Sequence, residues 1–225
     1  MGPNGGVNPY ILIGMMCVVG VVPLVVGFAT AYLKLSIVLG TVRNALGGQQ
    51  VPGQLVTSAL ALVLTLIVME PTLDATFERV ESLKFDVRAA HPIREGRTLF
   101  ERAGGPWVEF LSRHTGAREL EGLRRLYKSE RASGGQGTLA QGEPPLAVLL
   151  GAFMLTELRE AFVMACVLLV PFVVIDLVIA NLLVGLGMFM VSPVMISLPV
   201  KLAAFCAIDG WVLLAEALIL SYRGG

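Results

Sequence analysis

Charge is scarce in this sequence. Lys, Arg, Asp and Glu together make up 15% of its 225 residues, whereas a typical soluble domain carries about 25%. The few charges are also concentrated, because residues 74–143 hold 12 of the 17 basic and 11 of the 17 acidic side chains. The rest of the chain is almost uncharged, which excludes an ordinary water-soluble domain and predicts a membrane protein with one polar insert.

Residues that bind metals or form disulfides are also few. Cys17, Cys166 and Cys206 lie in apolar stretches at spacings that fit no metal site or disulfide framework, so we expect free thiols packed like small apolar side chains. His91 and His114 have no cysteine partners and are predicted to be surface histidines. The sequence contains no nucleophile–base pair and no phosphate-binding loop. We therefore expect neither catalysis nor a cofactor, and the net charge of zero favours no nucleic-acid partner.

Long apolar stretches are what the sequence has instead. We expect an all-α membrane protein built from two helical hairpins, with about four long hydrophobic helices. The predicted domains are an N-terminal hydrophobic hairpin (1–73), a polar, mostly helical insert (74–143) and a C-terminal hydrophobic hairpin (144–225). The apolar stretches are Tyr10–Leu33, Leu55–Met69, a block from Pro144 to Met190, and Val194–Tyr222.

Basic residues near the ends of spans predict orientation, since short cytoplasmic loops are enriched in Lys and Arg. Lys34 and Arg43 follow the first apolar stretch, and Lys201 lies where the last two stretches join. Placing these residues in the cytoplasm puts both termini and the polar insert on the other side of the membrane.

The apolar last third contains three charges that need an explanation: Asp176, Lys201 and Asp209. An ionisable side chain at membrane depth costs roughly 2.5–3.5 kcal/mol on insertion scales, so it usually faces a partner or a water-filled path. Such a partner lies on a second helix or in a second subunit, or it is a transported ion. Glu157 and Glu160, with Arg159 between them, form a second charged group, and the two glutamates share a helix face.

A methionine-containing turn, Met188-Phe189-Met190, separates the last two apolar stretches. Methionine is flexible and packs adaptably. The turn therefore has two interpretations: ordinary packing against lipid or core, or a seal around varied cargo at a symmetry axis.

Three stretches resemble the FliP/SctR (YscR) family of type III secretion export proteins. They are residues 43–52, reading RNALGGQQVP, residues 151–162, reading GAFMLTELREAF, and the region from PFVVIDL at Pro171 through the methionine turn and Lys201 to Asp209-Gly210-Trp211. Two positions depart from the family pattern: Gly151 stands where a proline is usual, and Phe189 takes the middle place of three methionines. The Val191-Ser192-Pro193 sequence, and a start without the basic region of a cleavable signal peptide, are more similar to the injectisome branch.

The resemblance implies a core subunit of the export gate, located in the bacterial inner membrane. It implies a ring or cone that projects to the periplasmic side, a homopentamer joined by SctS-like and SctT-like subunits, and unfolded secreted proteins as cargo. Met188, Phe189 and Met190 would form the pore constriction. The polar contacts between subunits or helices would come from Glu157, Arg159, Glu160, Asp176, Lys201 and Asp209.

An ion-coupled secondary transporter is the alternative function, with Asp176, Lys201 and Asp209 as its relay. Such transporters often contain inverted repeats and paired broken helices. No internal repeat of fixed period is visible in this sequence, which favours the export gate.

Overall fold

A computed structural model describes residues 16, 20, 27–47, 53–82, 104–133 and 144–223. Within these ranges every regular element is an α-helix, as expected from the sequence. The seven helices are α1 (Tyr32–Ala45), α2 (Gln54–Ser82), α3 (Gly105–Arg113), α4 (Ala117–Ser133), α5 (Leu146–Gly185), α6 (Pro193–Ala207) and α7 (Gly210–Arg223).

Helix α1 is the centre of the bundle and packs against α5 and α2. Leu35, Val38, Leu39 and Val42 are buried at the i, i+3, i+4, i+7 spacing of one helix face. Two residues after the end of α1, Gly47 has a φ of +80°, a left-handed conformation suited to glycine that terminates the helix. A side chain there would overlap Leu198 of α6, so this turn also brings α6 onto the end of α1.

Helix α5 has 40 residues and is about 60 Å long, twice the roughly 30 Å of a bilayer core. Its first half lies in the core, where Ala152, Phe153 and Ala161 are fully buried. Its second half exposes apolar side chains, including Val167, Val174 and others down to Leu182. The helix runs through Pro171 without interruption.

Two helices, α2 and α5, are long and apolar enough to cross a membrane, and the α6–α7 pair would form a third, bent span. This corrects two expectations. The last arm, expected as one helix from Val194 to Tyr222, is two helices that meet at 63°. The second apolar stretch, expected over Leu55–Met69, forms only the first part of a longer helix, since α2 continues through Pro71 to Ser82. The first predicted span, Tyr10–Leu33, lies mostly outside the described residues.

The described part of the insert is helical and packs onto the apolar helices. Helix α3 contacts α2 and α5, and α4 contacts α5. Phe110 and Leu111 are buried, and the indole N–H of Trp107 donates a hydrogen bond of 2.7 Å to the Ala29 carbonyl. The Gly116 N–H donates one of 2.9 Å to the Thr156 hydroxyl of α5. These contacts make the insert helices part of the same core.

Candidate functional site

A buried ion cluster joins three helices at the middle of the bundle. Lys34 of α1 places its Nζ 2.6 Å from Oε2 of Glu160 and 3.3 Å from Oε1 of Glu157, both on α5. The side chains of Lys34 and Glu157 are each 1% exposed, whereas Glu160 is 47% exposed. The two glutamates meet one lysine because their spacing of three residues puts them on the same helix face.

Tyr222 of α7 completes the cluster. Its hydroxyl donates a hydrogen bond to Oε2 of Glu157, and Lys34 Nζ lies 4.0 Å from the centre of its ring. A buried charge is tolerated only when it is paired and hydrogen-bonded. Lys34, Glu157 and Tyr222 meet this condition together, so the cluster fixes how α1, α5 and α7 pack.

A second ion pair lies nearer to the surface and joins α5 to α6. Lys201 Nζ is 2.6 Å from Oδ2 of Asp176 and donates to the Ala45 carbonyl at 3.2 Å. Lys201 is therefore positioned at the C-terminal end of α1, where a cation is favoured by the helix dipole. Asp176 is 42% exposed, and its buried Oδ1 has no hydrogen bond to any residue that the structure describes.

The two remaining predicted residues lie at the surface. Arg159 is 3.3 Å from Glu119 of α4, an exposed pair of the kind that contributes about 0–1 kcal/mol. Asp209 sits in the α6–α7 turn with a φ of 49°, which aspartate tolerates better than most residues. It is exposed, and its side chain makes no ion pair or hydrogen bond within the described ranges.

The methionine turn is exposed at the end of α5. Helix α5 ends in a Schellman motif, in which the Met188 N–H bonds the Leu183 carbonyl at 2.9 Å and the Gly187 N–H bonds Val184 at 3.0 Å. Gly187 has a φ of +73°, as this motif requires. The exposed fractions are 42% for Met188, 78% for Phe189 and 101% for Met190. No described residue of the chain covers the tip of the turn.

Known proteins are similar to this chain over most of its length. The sequence pattern of the FliP family matches residues 15–218. This chain belongs to the FliP family. It is 38% identical over 213 residues to the surface presentation of antigens protein SpaP of Shigella flexneri, covering 94% of this chain and 95% of that protein.

Relatives from two kinds of system match at similar identity. The hypersensitivity response secretion protein HrcR of Ralstonia nicotianae is 36% identical and covers 94% of this chain and 96% of that protein. The flagellar biosynthetic protein FliP of Caulobacter vibrioides is 36% identical and covers 100% of this chain and 81% of that protein. The family assignment made from the sequence is therefore confirmed.

Sequence reasoning missed the centre of the ion cluster. Lys34, expected at the basic end of the first span as a charge that sets the orientation, is buried inside α1. Lys201, expected both to set the orientation and to face a partner, is buried inside α6 and pairs with Asp176. Tyr222 received no role, and its spacing of 65 residues from Glu157 gives no signal in a single sequence. His114, expected at the surface, is half-buried, with its ring 4.4 Å from that of Phe110 and 5.3 Å from that of Tyr222.

The cysteine prediction has a mixed outcome. Cys166 and Cys206 are free thiols, as expected, but both are exposed and not packed in the core. Cys17 and His91 lie outside the described residues.

Proposed function

We propose that this chain is a core subunit of a type III secretion export gate and forms the pore through which unfolded proteins leave the cytoplasm. Family membership over residues 15–218 is the observation that carries the proposal. One relative, HrcR, is named for secretion, and another, FliP of Caulobacter vibrioides, is named for flagellar biosynthesis. The Val191-Ser192-Pro193 sequence after the methionine turn favours the injectisome branch.

The pore constriction in this proposal is Met188-Phe189-Met190. The turn is exposed, and it ends an apolar helix of 40 residues that carries it away from the core. Methionine side chains adapt to differently shaped contacts. Five such turns around an axis would close the channel at rest and yield to a passing polypeptide.

Assembly into a homopentameric ring or cone of helical hairpins, together with SctS-like and SctT-like subunits, accounts for the exposed apolar surface. The second half of α5 exposes valine and leucine side chains over several turns, a patch that needs lipid or protein to cover it. Among the six predicted polar residues, those with exposed surface for assembly contacts in the proposal are Arg159, Glu160, Asp176 and Asp209. Glu157 and Lys201 are buried and pair with other helices of the same chain.

The proposed location is the bacterial inner membrane, as a multi-pass protein whose assembled complex projects to the periplasmic side. The apolar helices α2 and α5 and the bent α6–α7 pair supply two or three candidate spans in contact with lipid. Residues 74–143 would then lie in the periplasm.

Mass measurement after purification in mild detergent tests the proposal. Co-expression with the other export subunits should give a stable ring with five copies of this chain. A monomer or dimer that binds a small substrate in an ion-dependent way would contradict the gate and favour the ion-coupled transporter.

A further inference from the structure

The C-terminal end of α2 carries an exposed acidic surface formed by Glu70, Asp74, Phe77 and Glu78. The three carboxylates are spaced four residues apart, and none has a hydrogen bond or ion pair within the described part of the chain. Like charges at i,i+4 on a helix repel each other. Phe77, 68% exposed, lies on the same face. A cationic partner would relieve the repulsion between these carboxylates.

Helix α4 carries an exposed basic surface formed by Arg118, Arg125, Leu126 and Lys128. Among the residues that the structure describes, Arg125 pairs only with Glu121, one turn away on the same helix, at 2.9 Å. Arg118 and Lys128 have no ion pair to any described residue. Leu126 is 66% exposed. The basic surface thus has charge opposite to that of the acidic surface. Like the acidic surface, it also contains one exposed apolar side chain.

The two surfaces have similar lengths. The helix rise from Glu70 to Glu78 in α2 is about 12 Å, and that from Arg118 to Lys128 in α4 is about 15 Å. Within one chain they belong to helices with different neighbours, since α2 packs on α1, α3 and α7 while α4 packs on α5.

We propose that the acidic surface of one copy of this chain docks on the basic surface of the next copy. A contact between two different patches is head-to-tail, and it closes into a ring when the rotation between copies fits. Phe77 would meet Leu126 at the centre, with the charged groups around them. Complementary charge fixes the register of such a contact and suppresses wrong partners. This inference rests on the proposed oligomer and assigns to the insert the role of joining neighbouring copies.

Disulfide cross-linking in membranes tests the contact directly. Cys17, Cys166 and Cys206 are replaced by serine, and Phe77→Cys and Leu126→Cys are introduced together in a chain co-expressed with the other export subunits. A disulfide forms only when the two Cα atoms come within about 7 Å. Mild oxidation should yield a ladder of covalent oligomers that ends at the closed ring.

The matched control pairs Leu126→Cys with Leu62→Cys, an exposed position four turns away on the same face of the apolar half of α2. This pair should give no ladder. A ring of normal mass without a ladder from the 77–126 pair would overturn the contact and leave the proposed function intact. A cross-link within one chain, seen as a faster monomer band, would also overturn it. Loss of the ring in the cysteine-free parent would instead count against the proposed function.

Charge reversal gives an independent readout. With Phe77 opposite Leu126 and the two helices parallel, Glu70 lies opposite Arg118, since each is about 11–12 Å from the centre of the contact. Glu70→Lys alone and Arg118→Glu alone should each reduce the yield of the ring, because each opposes like charges across the contact. The double variant should recover it. A double variant as defective as the worse single one would contradict the pairing.

Discussion

At the scale of the residue, Lys34 determines the packing of the core. One ammonium group is shared by two carboxylates and lies over an aromatic ring, with almost no exposure to solvent. Burying such a charge costs free energy, and leaving it buried without its partners costs more. Its environment explains why a lysine stands inside an apolar helix.

Lys34→Met should destabilise the chain by about 3–5 kcal/mol, because Glu157 would remain buried with no counter-charge. Thermal unfolding in detergent measures the effect. The double variant Lys34→Met, Glu157→Gln should recover most of the loss. Arg125→Ala, which breaks an exposed pair, serves as the control and should cost less than about 1 kcal/mol. An equal loss in the control and in Lys34→Met would contradict this account.

Asp176→Asn should block assembly before it affects transport. The carboxylate holds Lys201 at the end of α1, and the Asp176 side chain is 42% exposed, which leaves it accessible to a neighbouring subunit in the proposed ring. Native gels of co-expressed subunits measure the assembly, and Glu121→Gln, on the exposed face of α4, is the control. A complex of normal size together with lost secretion would contradict this prediction.

At the scale of the element, the bend between α6 and α7 depends on a glycine under an aromatic ring. The ring of Phe205 lies 5.2 Å from Trp211 and 6.1 Å from Phe172, and a side chain at position 210 would overlap it. Asp209 supplies the left-handed residue of the turn. The three features together set the 63° angle.

Gly210→Ala should therefore destabilise the bend by about 1–3 kcal/mol, as overpacking of a core does. Thermal unfolding measures the loss, and Phe205→Leu in the same chain should reduce it. Gly185→Ala, at a helical position with open space around it, should be neutral or slightly stabilising. Destabilisation by Gly185→Ala as large as that by Gly210→Ala would show that the ring contact is not the cause.

Hydropathy predicted an element well where the apolar character of one continuous stretch determines it. The apolar runs predicted α2 and α5. The α6–α7 bend escaped prediction because it depends on a contact between Phe205 and Gly210. Helices α3 and α4 belong to the insert that was expected to be mostly helical. The break between them, at His114-Thr115-Gly116, coincides with the hydrogen bond from Gly116 to Thr156. The ion pairs escaped because the partners are up to 126 residues apart.

At the scale of the whole molecule, one chain leaves much of its surface uncovered. The described helices bury a core around α1, whereas the far half of α5 and the outer face of α2 expose large apolar side chains. A monomer in water would not tolerate these surfaces, and lipid with neighbouring subunits would cover them. The exposed methionine turn lies at the end of this apolar half, where a ring would bring its copies together.

The most direct test of the channel is whether position 189 contacts a secreted protein during its export. A photo-reactive phenylalanine analogue replaces Phe189, and a secreted protein is arrested during export by a fused domain that does not unfold. Illumination should cross-link the arrested protein to position 189 and not to position 174, which is exposed on the apolar flank of α5. Cross-linking at position 174 with none at position 189, in a system that still secretes, would contradict the account.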